Sequence, residues 1–192
     1  RLRELVAEAA WYALACPASM YQTPTCRRLL GDAAMGRRLC RAALRTVRAG
    51  TVAQRIVVRA ARPGSVELVV TALQGIVVNQ PYWVFENLDW RGACASHDDC
   101  EHAYHVVGAA RSTVILNNRI ADFNAHLKIN GQDGAWPDDG LVQYTSFINS
   151  AGRRTGAPVN AVDSVGANGW QVLDNNVEAT VKLGGNGISY GV

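Results

Sequence analysis

Lysine is missing from the first 62 residues and acids are scarce there: twelve Arg stand against Glu4, Glu8 and Asp32, a net +9. The remaining residues hold seven bases against thirteen acids, a net −6, so the formal +3 of the 192-residue chain sums two opposite halves. Also missing is any run of about eighteen apolar residues, which excludes a membrane-spanning helix. Disordered and collagen-like chains are excluded by the 48% hydrophobic content. The first residue is Arg1, and Glu4 and Glu8 break what would be the apolar region of a signal peptide, so the chain is expected to be a mature or excised piece. Its length suits one domain burying roughly 70% of its unfolded surface.

What is present falls into two periods. Leu2, Leu5, Val6, Ala9, Tyr12 and Ala13 recur at helical spacing. Asp32 can cap a second helix carrying Met35, Leu39, Ala43 and Val47 before Gly50. Their arginines fall on polar faces without interleaved aromatics, which reads as a solvated or packing face and not as nucleic-acid contact. Cys16, Pro17, Pro24 and Cys26 mark an irregular loop between them, with Cys40 a candidate partner for either cysteine.

From residue 55 the period becomes two. Arg55-Ile-Val-Val-Arg59 and Gly75-Ile-Val-Val-Asn79 read as strands, each ended by a turn residue. One strand type follows Ile76, Tyr104, Leu127, Val162 and Ile188; a second leads into Asn at Val84–Leu88, Val114–Asn118 and Val172–Asn176. No helix-length segment intervenes, so the intervals predict a solenoid of two or three strands per coil and not βαβ units. Asn87, Asn117, Asn118, Asn175 and Asn176 are expected to form a ladder of turn amides, each bonding to its equivalents above and below.

These repeats resemble those of the right-handed parallel β-helix proteins, the superfamily of pectate lyases and chondroitinase B-like and alginate lyases. Val114-Ile-Leu-Asn-Asn-Arg-Ile120, His126-Leu-Lys-Ile-Asn130 and Gly187-Ile-Ser-Tyr190 carry the likeness, which runs from about Arg55 to Val192. The resemblance implies a mainly β fold: residues 51–192 as a right-handed parallel β-helix, with residues 1–50 supplying amphipathic α-helices that cap its N-terminal end. Thr51-Val-Ala-Gln54 replaces the expected first-coil strand, and the repeats stop at Gly191-Val192 without a cap, so a C-terminally truncated solenoid is expected.

Strand alternation then derives an outward column. With Ile76, Val78, Tyr104, Val106, Leu127, Ile129 and Val162 inward, Val77, His105, Lys128, Asp163 and Ser189 face outward on coils roughly 4.8 Å apart. His126 and Asn130 are expected to flank Lys128. A base, a cation and a carboxylate on one face suit proton abstraction beside a uronate carboxylate, with Lys128 or His105 as base. In the resembling lyases a Lys or Arg on this face commonly plays the base, and calcium often neutralises the substrate; the acidic calcium motif of the chondroitinase-like group has no counterpart at a matching position.

Loops add further candidates. Cys94 and Cys100 can close a disulfide, or join His97, His102 or His105 on zinc, although the spacing fits no common zinc pattern. The disulfide is favoured and implies an oxidising compartment. Asp98, Asp99 and Glu101 between them are weak calcium candidates. Trp136, beside Asp133, Asp138 and Asp139, is equipped to stack on a sugar, and Arg153 and Arg154 to fork a substrate carboxylate. Trp83, Trp90 and Trp170 read as packing. The expectation is a secreted, periplasmic or cell-surface polysaccharide lyase or related hydrolase or epimerase. The rival is a glycan-binding or adhesion module without catalysis.

Overall fold

The computed structural model describes residues 26–29, 36–183 and 189–190. The described residues are mainly β, with eighteen strands in three sheets. Sheet I contains β1 (Cys26–Leu29), β2 (Gly36–Cys40), β5 (Val66–Val70), β8 (Asp89–Gly92), β11 (Arg119–Ala121), β14 (Ser146–Ile148) and β17 (Asn176–Glu178), in that order. Sheet II orders β3 (Leu44–Arg45), β6 (Gln74–Val78), β9 (His102–Val107), β12 (Ala125–Asn130), β15 (Val159–Val165) and β18 (Ser189–Tyr190). Sheet III orders β4 (Ile56–Arg59), β7 (Trp83–Glu86), β10 (Val114–Leu116), β13 (Leu141–Gln143) and β16 (Gln171–Leu173).

From β2 onward the chain visits sheets I, II and III in rotation, and each strand pairs in parallel with the strand one circuit away. Three stacked parallel sheets visited in this way are compatible with a parallel β-helix of five complete coils, with β17 and β18 entering a sixth. The register Ile76↔Tyr104↔Leu127↔Val162 is the one read from the sequence. All seven residues assigned inward on those strands belong to the buried core.

Two expectations are corrected. Residues 36–45, assigned to an amphipathic helix, form β2 and β3, so the sheets begin before residue 51. Leu39 and Cys40 lie opposite Val69 and Val70, and Leu44 opposite Ile76. An adjoining strand of β-branched residues offers a complete backbone ladder, and such tertiary pairing overrides a local spacing that suits either period. The first proposed helix, residues 1–15, and Cys16 lie outside the described residues. The β1–β2 register sets Cys26 across from Cys40. Second, Ser189 lies opposite Val159, not beside Asp163. The ladders Phe147↔Val177 and Val142↔Val172 fix a 30-residue last coil, four residues longer than the interval from Val162 to Ile188.

Aromatic rings fill the centre of the second and third coils. Trp83 stacks on Phe85 at 5.9 Å between centroids, and Tyr104 meets Phe85 and Trp90 edge-on at 5.3 and 5.0 Å. The Trp90 indole donates to the Tyr104 hydroxyl at 2.7 Å, and that of Trp83 to the Arg48 carbonyl at 2.9 Å, so neither buried N–H is orphaned. Burial pushes the Tyr104 phenol far above its ordinary range, and it stays protonated. Trp170 is half-buried and donates to the Pro137 carbonyl.

The corner from sheet III to sheet I is two residues long in four successive circuits: Asn87-Leu88, Asn117-Asn118, Tyr144-Thr145 and Asp174-Asn175. Each first residue is left-handed, with φ between 52° and 61°, a conformation that Asn and Asp tolerate best. The expected ladder is real in part. Asn117 donates to the Asn87 side chain at 2.7 Å. Buried Asn118 donates to the Phe85 carbonyl and accepts from the Leu88 N–H; Asn175 does the same to Val142 and Thr145. Asn176 lies one place beyond the ladder and donates instead to Glu178.

Candidate functional site

On the outer face of sheet II the register sets Arg45, Val77, His105, Lys128 and Asp163 side by side. Val77 is buried but lies outside the core cluster, as an outward residue covered by longer neighbours should. The Lys128 ammonium donates to Asp163 Oδ2 at 2.7 Å, so cation and carboxylate are already paired. Asn130, two residues on, donates to the Gly131 carbonyl, which turns its Oδ1 toward His105 Nε2 at 2.8 Å. That oxygen only accepts, so Nε2 carries the proton and the neutral His105 has its lone pair on Nδ1. Burial, opposed by the Asn130 bond and assisted by the Lys128 charge, holds the His105 pKa below its ordinary value.

His126 does not share this face. It is fully buried, its ring edge-on to Phe123 and Phe147, with Nδ1 3.0 Å from the Asn160 carbonyl and Nε2 3.3 Å from that of Ile148. The two carbonyls favour the charged ring, but burial outweighs them and lowers its pKa. His97, His102 and His105 are lowered too, with burial the leading cause in each. A histidine depressed in the fold binds fewer protons there than in the unfolded chain. Its stability contribution is therefore complete above the ordinary value of 6.5 and is lost as pH falls below it. The melting temperature is expected to drop between about pH 7.5 and about pH 5.5, and less steeply in His126→Gln. A flat pH profile for the parent chain in thermal melts would refute this.

Arg153 is likewise a folding residue. Its side chain is buried, with Nε donating to Asn124 Oδ1 at 3.0 Å and Nη2 to the His97 carbonyl at 3.4 Å. Around it, the Asn124 amide donates to the same carbonyl and to Thr155 Oγ1, and the Arg154 N–H donates to His97 Nδ1 at 2.7 Å. Asp98 Oδ1 accepts from Thr155 Oγ1 and the Gly156 N–H, bonds that hold its carboxyl below the usual range. A 3-10 turn over His97–Asp99 in the third coil thus clasps residues 153–156 of the fifth across the fourth. The Cys94–Cys100 disulfide closes the base of that turn. Arg154 keeps an exposed side chain.

Trp136 is half-exposed, and a Cβ at Gly131 or Gly166 would collide with its indole, so the ring packs against two neighbouring coils. Asp138 accepts from the Asn168 N–H, and Asp139 takes a left-handed turn at φ 59°, so both build the corner from sheet II to sheet III; Asp133 is exposed. Asp98 is committed to the clasp, and no group of three or more His, Cys, Asp or Glu side chains among the described residues could hold a metal ion. Sequence reasoning missed the clasp, because bonds to the turn from Asn124, one coil away, and Thr155, two coils away, leave no periodic trace.

No family model, curated protein or solved structure matches the chain. Among the described residues no helix is long and apolar enough to cross a membrane.

Proposed function

We propose that the chain is an exported right-handed parallel β-helix of the pectate-lyase-like kind that binds a polysaccharide along the outer face of sheet II. The observation that carries this reading is Trp136, a half-exposed indole packed against Gly131 and Gly166, which follow the strands that carry the Lys128–Asp163 and His105–Asn130 pairs. A rigid aromatic plate next to fixed donors and acceptors is what a sugar ring and its hydroxyls require. The disulfide and the absence of a spanning helix among the described residues suit an extracellular setting. Trp136→Ala is expected to weaken binding about tenfold, close to 1.4 kcal/mol, with the melting temperature kept. Isothermal titration against a panel of neutral and acidic polysaccharides reads it; no binding by the parent chain, or an unchanged Kd in the variant, defeats the proposal.

A second reading, elimination from a uronate polymer, is favoured by the fixed tautomer of His105. The Lys128 ammonium already donates to Asp163, which leaves His105 Nδ1 as the base. It would take the proton beside the uronate carboxylate as the new double bond forms and the glycosidic oxygen departs, with Lys128 near the developing enolate. Ultraviolet absorbance of unsaturated product, with and without calcium, tests it, and His105→Gln should abolish the signal.

A further inference from the structure

Three coils meet at the corner that leads from sheet II into sheet III. Tyr82, before β7, is left-handed at φ 62° and donates its N–H to the Arg111 carbonyl at 3.0 Å. Arg55, before β4, donates from Nη1 to the Ser112 carbonyl at 2.8 Å, which fixes its guanidinium. The guanidinium carbons of Arg55 and Arg111 lie 5.8 and 5.4 Å from the centre of the Tyr82 ring. Among the described residues no carboxylate pairs with either, whereas Arg59, Arg91 and Lys128 each have one. Exposed Arg48 adjoins the corner, its carbonyl taking the Trp83 indole N–H.

Two like charges around one ring repel, and the ring's negative face offsets only about 0.5–1 kcal/mol for each at an exposed site. The remaining positive potential is available to an anion, and a guanidinium fork matches the oxygens of a carboxylate or sulfate. Nucleic acid suits the corner less, since single strands bind by stacking bases on free aromatic faces, and here two guanidinium groups already lie over the Tyr82 ring. We infer that Arg55, Tyr82 and Arg111 form an anion site for the carboxylate or sulfate groups of an acidic polysaccharide. The inference takes its glycan from the reading above. Trp136 follows the same connection two coils further on, so one chain laid along the axis passes both.

The test is titration of chondroitin sulfate, polygalacturonate, neutral dextran and a single-stranded oligonucleotide at one salt concentration. Arg111→Gln, whose parent side chain bonds to nothing described except the Tyr82 ring, is expected to keep the melting temperature and bind the acidic glycans about tenfold more weakly. Loss on one acidic polymer alone also supports the site and identifies the group it takes. Arg62→Gln, an exposed arginine in the connection from sheet III to sheet I, should change nothing. Unchanged affinity in Arg111→Gln, an equal loss in Arg62→Gln, weakening confined to the oligonucleotide, or no binding of either acidic polymer by the parent chain overturns the inference. Trp136→Ala separates the two readings: a corner effect without a Trp136 effect sinks only the sheet-face reading, and the reverse sinks only the corner.

Discussion

Arg153→Ala is expected to lower stability by about 3 kcal/mol, the largest loss of any exchange among the residues read from sequence as substrate contacts. The truncation leaves Asn124 Oδ1 without its donor, while the His97 carbonyl keeps only the Asn124 amide, and a buried group left unsatisfied costs about 1–3 kcal/mol. It also empties the space held by a buried side chain. For a chain of this length the melting temperature should fall by about 10 °C in a circular-dichroism melt. Arg153→Lys should recover little, because an ammonium cannot reproduce a fork whose two nitrogens face different acceptors. A loss below about 1 kcal/mol would show that the clasp forms without its guanidinium.

Asn118→Ala should cost about as much, by a different route. The Asn118 amide serves two backbone groups of the preceding corner, the Phe85 carbonyl at 3.0 Å and the Leu88 N–H at 2.7 Å, and alanine serves neither. About 3 kcal/mol is expected from two buried groups deprived together. Asn176→Ala, at an exposed neighbour of the same ladder, should stay within about 0.5 kcal/mol. The contrast is the diagnostic: equal losses at both positions would mean that asparagine acts through turn propensity and not through bonds between coils.

Period and punctuation made the solenoid legible. Val-rich runs of period two, spaced by one coil, gave the sheet II register from Ile76 to Val162 without error, because a one-residue slip would turn every apolar side chain outward. The outward trio His105, Lys128 and Asp163 followed from that register alone. The same logic misplaced Val172–Asn176 by one residue: Gln171 is the true partner of Leu141, so Asp174 takes the left-handed place and Asn175 the bonding one. It passed over Leu141–Thr145, where Tyr144-Thr145 stands in for Asn-Asn. What failed has a common cause. His126 and Arg153 look solvent-loving in a sequence, and only the carbonyls and amides that other coils bring to them make burial tolerable. The N-terminal basic segment satisfied two periods at once, and pairing with β5 and β6 decided between them.

The two-residue corner between sheets III and I also bears on how such a chain can grow. The other two corners range from three residues, as at Asp122–Asn124, to ten, as at Gly131–Gly140. Insertions there merely lengthen a surface excursion, and evolution or an engineer can graft a foreign segment without disturbing the ladder. A single added residue after Asn117 or Tyr144 would separate the left-handed position from the amide or hydroxyl that follows it. From the second coil onward variation is thus channelled to two edges of the molecule, while the third acts as a spine that keeps the count.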